Sequence, residues 1–194
     1  MRLARPLLAF ALVATVSGCG VNTIPTKQEA AKARWADVQN EYQRRSDLIP
    51  NLVSSVKGAA ANERGTLVGV TQARAQANSI KLTPEQLSDP AAVAKFEQAQ
   101  SNLSIALRPL QNLQENYPDL KTNQNFLALQ SQLEGTENRI TVARRDYNGA
   151  VQDYNTTIRT FPAAVAANTI YGSKPMIPFT ATTPGADTAP KVTF

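Results

Sequence analysis

The sequence predicts an all-α fold, an elongated antiparallel helical bundle of four helical segments. Three observations carry this. Apolar residues recur in steps of three and four along most of the chain, cap residues and prolines break that run at intervals, and the periodicity stops after Pro162.

The first stripe is Trp35, Val38, Tyr42, Ile49, Leu52, Val56 and Ala59, with Arg45 as the one charge in it. A weaker continuation runs through Leu67, Val70, Ala73, Ala77 and Ile80. Such spacing is the coiled-coil-like seam of a helix packed along its neighbours, and it is too regular for a strand. Asp47 and Pro50 interrupt it. Asp47 could cap a new helix, with Pro50 in a first turn where a missing N–H costs little. The region is therefore one kinked helix or two, about 27–46 and 48–80. A single helix would run roughly 80 Å, twice the roughly 42 Å of 90–117, and would leave half its seam unpartnered. Length matching favours a split near 47–50. Against it, the phase runs through the break and no glycine marks a turn there.

Asp89 followed by Pro90 is a helix start, a carboxylate cap before a proline at the first helical position. Its stripe is Phe96, Ala99, Leu103, Ala106, Leu110, Leu113 and Tyr117, with Pro109 inside it as a kink. The last helix is capped by Thr122 or Asn123. Its stripe runs Phe126, Leu129, Leu133, Thr136, Ile140, Ala143, Tyr147, Ala150, Tyr154, Thr157 and Phe161. Residues 123–161 would extend roughly 58 Å. The bundle is thus assigned to 27–162. Residues 163–194, rich in Pro and Thr, read as a mostly disordered tail, so ending the chain after Ser173 should barely alter unfolding.

The beginning of the chain has another character. Arg2 and Arg5 precede an unbroken apolar run from Leu7 to Val16, then the small residues Ser17 and Gly18. That is the layout of a secretory signal, with an apolar run short for a membrane span. Val16-Ser17-Gly18-Cys19 resembles the lipobox of bacterial lipoproteins. The resemblance implies that 1–18 is removed, that Cys19 carries acyl chains such as palmitate, and that 19–26 is a lipidated spacer. Two or more acyl chains anchor stably, at about 0.8 kcal/mol per buried methylene. Cys19 is the only cysteine, so no intrachain disulfide is available. Gly20 after it resembles the outer-membrane default in a two-membrane cell, which would place the domain in the periplasm.

The full chain carries a formal +5. Losing Arg2 and Arg5 leaves 18 basic residues of 20 against 15 acidic ones, about +3. That permits contact with anionic headgroups or wall polymers without requiring it, and export argues against nucleic acid.

Little in the sequence suggests catalysis. It contains no histidine, the commonest general base and metal ligand. No Ser-x-x-Lys pair, glycine-rich phosphate loop or paired-carboxylate context stands out, so the expectation is a non-enzyme without metal or cofactor. The candidate polar cluster is Arg44, Arg45, Asp47, Arg144, Arg145 and Asp146. As a functional surface it would hold phosphate headgroups or an anionic partner. As a structural element, Arg45 would pair across the bundle with a carboxylate such as Asp146. The structural reading is favoured, because an unpaired charge near an apolar stripe is costly. Asn51, Asn138, Asn148 and Asn155 read as interhelical hydrogen-bond partners, and Tyr147 and Tyr154 as core.

Four stretches together resemble the LemA family of bacterial envelope proteins. They are Arg45 to Val53 with Val56-Lys57-Gly58, Glu115 to Lys121, Glu134 to Ile140, and Arg144 to Asn148 with Tyr154-Asn155 and Thr160-Phe161-Pro162. The resemblance implies a four-helix bundle tethered to a membrane. Its members usually use an N-terminal transmembrane helix where this chain has the lipobox-like Cys19. They also usually carry a His shortly after Val-Lys-Gly, where this chain has Ala59 to Glu63. The resemblance implies a place in the envelope but no reaction. The expected role is a tethered interaction or scaffold module with an envelope protein partner. The competing expectation is a remodelling or stress factor that binds anionic lipid or cell wall through a basic face.

Overall fold

A computed structural model describes residues 22–58 and 63–180. It is all-α, with no strand among the described residues. Four long helices dominate: α1 (Thr23–Val56), α2 (Arg64–Ser79), α3 (Pro90–Gln111) and α6 (Gln124–Thr157). A 3-10 turn, Pro84–Ser88, leads into α3. Short helices α4 (Leu113–Asn116) and α5 (Pro118–Thr122) precede α6, and α7 (Ala163–Ala166) with a π turn (Ala167–Tyr171) follows it. Residues 172–180 return along α6 without regular structure.

The predicted helix starts hold at two places. Asp89 accepts from the N–H groups of Ala91 and Ala92 at 2.9 and 3.4 Å, and Asn123 accepts from Phe126 N–H at 3.1 Å. Other boundaries need correction. The first helix begins at Thr23, inside the expected spacer, and buries Ile24. It does not break at 47–50 but runs through Pro50 to Val56, with Lys57 and Gly58 in a turn at its end. Pro109 stands near the end of α3, so the helix stops at Gln111 where a run to 117 was expected. The last helix ends at Thr157, which removes Phe161 from the seam: Ile158 is buried instead and Phe161 is 84% exposed.

The passage of α1 through Pro50 has a tertiary cause. Proline has no N–H, so the carbonyl four residues earlier, on Ser46, loses its helical donor. Ser46 is buried, where an unpaired carbonyl costs about 1–3 kcal/mol. Arg74 of α2 supplies the missing bond, donating from Nε to the Ser46 carbonyl at 2.7 Å and to its hydroxyl at 3.1 Å. Asn78 donates to the same hydroxyl at 2.8 Å. In urea melts, Arg74→Ala should cost about 1–3 kcal/mol. In a Pro50→Ala background, where the backbone N–H returns, the cost should be smaller by about 1 kcal/mol. Equal costs in both backgrounds would show that Arg74 does not act by covering that carbonyl.

Helices α1 and α6 pair antiparallel along their length. Lys27 meets Asp153 at 2.9 Å near one end and Arg45 meets Glu137 at 2.9 Å further along. The core forms two clusters. One gathers Trp35, Val38, Tyr42, Phe96, Ile140, Tyr147, Val151 and Tyr154, closed by Leu82, Leu87, Met176 and Phe179. Trp35 is its centre, with ring centroids 5.3 Å from Phe96 and 5.8 Å from both Tyr147 and Phe179. The other holds Ile49, Leu52, Val56, Leu67, Val70, Leu103, Leu107, Leu110, Phe126 and Leu133.

Part of the expected disordered tail is corrected here. Asn155 exchanges two hydrogen bonds with the backbone of Met176, at 2.8 and 2.9 Å, and Asn148 does the same with Phe179, at 3.0 and 2.8 Å. Tyr147 and Tyr154 donate to the carbonyls of Ile177 and Lys174, both at 3.2 Å, and Ile177 N–H reaches Leu87 O at 2.8 Å. Residues 172–180 are a strap across the first core cluster. It departs from the π turn through Gly172, whose φ of 55° suits glycine above other residues. The rest of the tail, 181–194, lies outside the described residues.

Candidate functional site: a buried polar layer and its cleft

Arg45, Ser46, Gln100 and Thr136 are the buried polar residues among the described ones, and they share one level of the helical fold. Along α1 the core passes from Tyr42 in one cluster to Ile49 in the other, with Arg45 between. Gln100 holds that place between Phe96 and Leu103 on α3, and Thr136 between Ile140 and Leu133 on α6. The polar layer separates the two apolar clusters.

Arg45 is 1% exposed. Its Nη1 donates to Ser104 Oγ at 2.8 Å and to Glu137 Oε1 at 2.9 Å, and its Nη2 donates to Gln100 Oε1 at 2.7 Å. The guanidinium also lies 5.1 Å from the centroid of the Tyr42 ring. A buried guanidinium needs this density of partners, since desolvation costs several kcal/mol and one acceptor does not offset it. Burial pushes the Tyr42 and Tyr147 hydroxyls above the usual tyrosine range.

A cleft of about 340 Å³ opens beside the layer, lined by Arg45, Gln100, Ser104, Arg108, Glu137 and Arg144 among others. At its edge Arg144 bonds Glu97 Oε1 at 3.3 Å and the Thr180 carbonyl at 2.8 Å, with its guanidinium 4.6 Å from the Phe179 ring centroid. Glu97 also accepts from Thr180 N–H at 3.0 Å. Arg144 and Glu97 therefore close the end of the strap.

The six predicted cluster residues do not form one site. Arg45 and Arg144 turn inward and share the cleft. Arg44 is exposed, and Asp47 is exposed and accepts from Gln43 at 2.8 Å. Arg145 points outward beside Asp146, with a contact of 3.4 Å. The expected inward pairing of Arg45 is present, but its carboxylate is Glu137 and not Asp146. Asn148 and Asn155 hold the strap backbone, while Asn51 and Asn138 are exposed. Sequence reasoning missed Gln100, though a signal existed: it is a polar residue within the apolar face between Phe96 and Leu103. Cys19 lies outside the described residues. Among those described, no cluster of His, Cys, Asp and Glu is placed to hold a metal, and no helix is long and apolar enough to cross a membrane.

These features define an all-α protein whose long helices are keyed together by a buried arginine layer. The chain belongs to the LemA family, whose model matches residues 34–194. It is similar to two magnetosome proteins of Paramagnetospirillum magneticum, MamQ 1 and MamQ 2, each 26% identical over 157 residues. Each alignment covers 73% of this chain and 58% of the relative, so the chain spans little more than half the length of these relatives.

Proposed function

We propose that the chain is a non-enzymatic interaction or scaffold module of the cell envelope, tethered through lipid on Cys19. Its four long helices act as one antiparallel bundle. The observation that carries this reading is the use made of the polar side chains at the helix seams. Arg45, Gln100, Ser104 and Glu137 bond one another, as do Arg144, Glu97 and the strap, which favours presenting a rigid surface over performing a reaction. Membership of the LemA family supports the envelope setting. In a two-membrane cell, Gly20 favours an outer-membrane anchor with the bundle in the periplasm. The competing role, binding anionic lipid or wall polymer through a basic face, draws support from outward-facing Arg44 and Arg145, although Arg45 and Arg144 are turned inward.

Cys19→Ser should abolish incorporation of labelled palmitate and leave uncleaved precursor, because no other thiol is available. A substituted protein that is still acylated would refute the anchor.

A further inference from the structure

Eight large apolar side chains are conspicuously exposed among the described residues, and four of them fall within 161–171. Phe161 is 84% exposed, Val165 57%, Ile170 65% and Tyr171 42%. The segment is arranged inside out. Its small residues Ala163, Ala166 and Ala167 pack in the first core cluster with Ile24, while the large apolar residues face outward. Exposing the large side chains and burying the small ones reverses the usual economy of folding and marks a contact surface.

The fold also fixes where this surface lies. Lys27 opposite Asp153 and Arg45 opposite Glu137 set the α1–α6 register, which puts Thr23 level with about residue 158. The tip at 161–171 and the start of α1 therefore share one end of the molecule. Cys19 is three residues from Asn22, a reach of at most about 11 Å. The charge of the segment itself is one-sided, while Asp153 and Glu29 at the same end are paired with Lys27 and Lys32. From Tyr154 to Thr180 the sequence contains Arg159 and Lys174 and no acidic residue, and both are exposed.

We propose that this tip is a membrane-contacting surface: Phe161, Val165, Ile170 and Tyr171 enter the interfacial zone of the bilayer while Arg159 and Lys174 meet anionic headgroups. Aromatic and aliphatic side chains beside basic ones suit that boundary. The tether alone would let the bundle swivel. A second contact at the same end sets it upright, with the polar cleft held away from the lipid. The direction of the tip rests on the lipid-anchor reading, while its affinity for lipid does not.

The test uses the mature chain, residues 19–194 with Cys19→Ser and made without 1–18, so that neither an acyl chain nor the apolar run Leu7 to Val16 contributes, and vesicles of phosphatidylethanolamine and phosphatidylglycerol. The protein should float with these vesicles, less so at high salt or without phosphatidylglycerol. Adding Phe161→Ser and Ile170→Ser should reduce flotation by about tenfold with the melting temperature unchanged, since both side chains are exposed. In the acylated protein, Phe161→Trp should be quenched by brominated lipid well beyond Leu127→Trp, which lies near the start of α6. Flotation indifferent to the two serines would overturn the proposal whatever the state of Cys19. So would a tip-dependent dimer in solution that does not bind vesicles. Failure of palmitate incorporation would remove the anchor and leave the flotation result to decide the tip.

Discussion

A chain ending at Ser173 is expected to lose at least about 5 kcal/mol of stability, much of what a domain typically has. The cut removes Met176 and Phe179, both buried in the first core cluster. Truncating one buried Phe or Met costs about 2–5 kcal/mol, because the cavity collapses only partly. The cut also deprives Asn148, Asn155, Tyr147 and Tyr154 of their strap partners. Water could reach some of these groups once the strap is gone, which lessens the polar loss and leaves the apolar one. Thermal unfolding should fall by more than about 10 °C. Phe179→Ala in the full chain should account for about 3–5 kcal/mol of the loss. An unchanged melting temperature would mean that 174–180 does not pack on the bundle.

Arg45→Ala is expected to be comparably severe, at about 3–5 kcal/mol, because it opens a cavity in the layer and strands the Gln100 side chain. Glu137→Gln should cost only about 1 kcal/mol, since the Glu137 side chain is 36% exposed and water screens what the carboxylate contributes. Arg45 then keeps Gln100 and Ser104. Replacing the layer with apolar residues, as Arg45→Met with Gln100→Leu and Ser104→Ala, should restore stability to within about 2 kcal/mol of the natural chain. Urea denaturation of the three variants checks the order. Should the apolar layer be as damaging as Arg45→Ala, the charge itself would be stabilising, and the layer would not be chiefly a device for aligning helices.

Much of this architecture was legible in the sequence. The seam positions Trp35, Val38, Tyr42, Leu133 and Ile140 are buried as their spacing predicted, and the caps at Asp89 and Asn123 form as their chemistry requires. Arg45 could be read as inward-facing because it was the single charge in an apolar stripe. Its partner could not be read. Asp146 and Glu137 are nine residues apart, and only the register and rotation of α6 against α1 decide which meets Arg45. Pro50 misled for a related reason: the local rule against helical proline is sound, but Arg74, 28 residues from Ser46, supplies what the rule says is missing. The strap misled most. Its prolines and lack of periodicity look like disorder, yet it is held largely by backbone groups that two asparagines capture, and such binding leaves little pattern in the strap's own side chains.

The strap also bears on when the protein can finish folding. Trp35, the chain's only tryptophan, sits in α1, while Phe179, the ring stacked on it, is 144 positions later. The second cluster can begin to assemble from α1, α2 and α3, whose contacts are nearer in sequence, while the first must wait for nearly the whole chain. Contacts of such long separation form late and slow folding. If the chain is exported as proposed, the half of the molecule nearest its proposed anchor closes last, after translocation has delivered the C-terminal segment. The emission of Trp35 is a built-in clock for that event: it should reach its native value only with the slowest phase in which the strap docks.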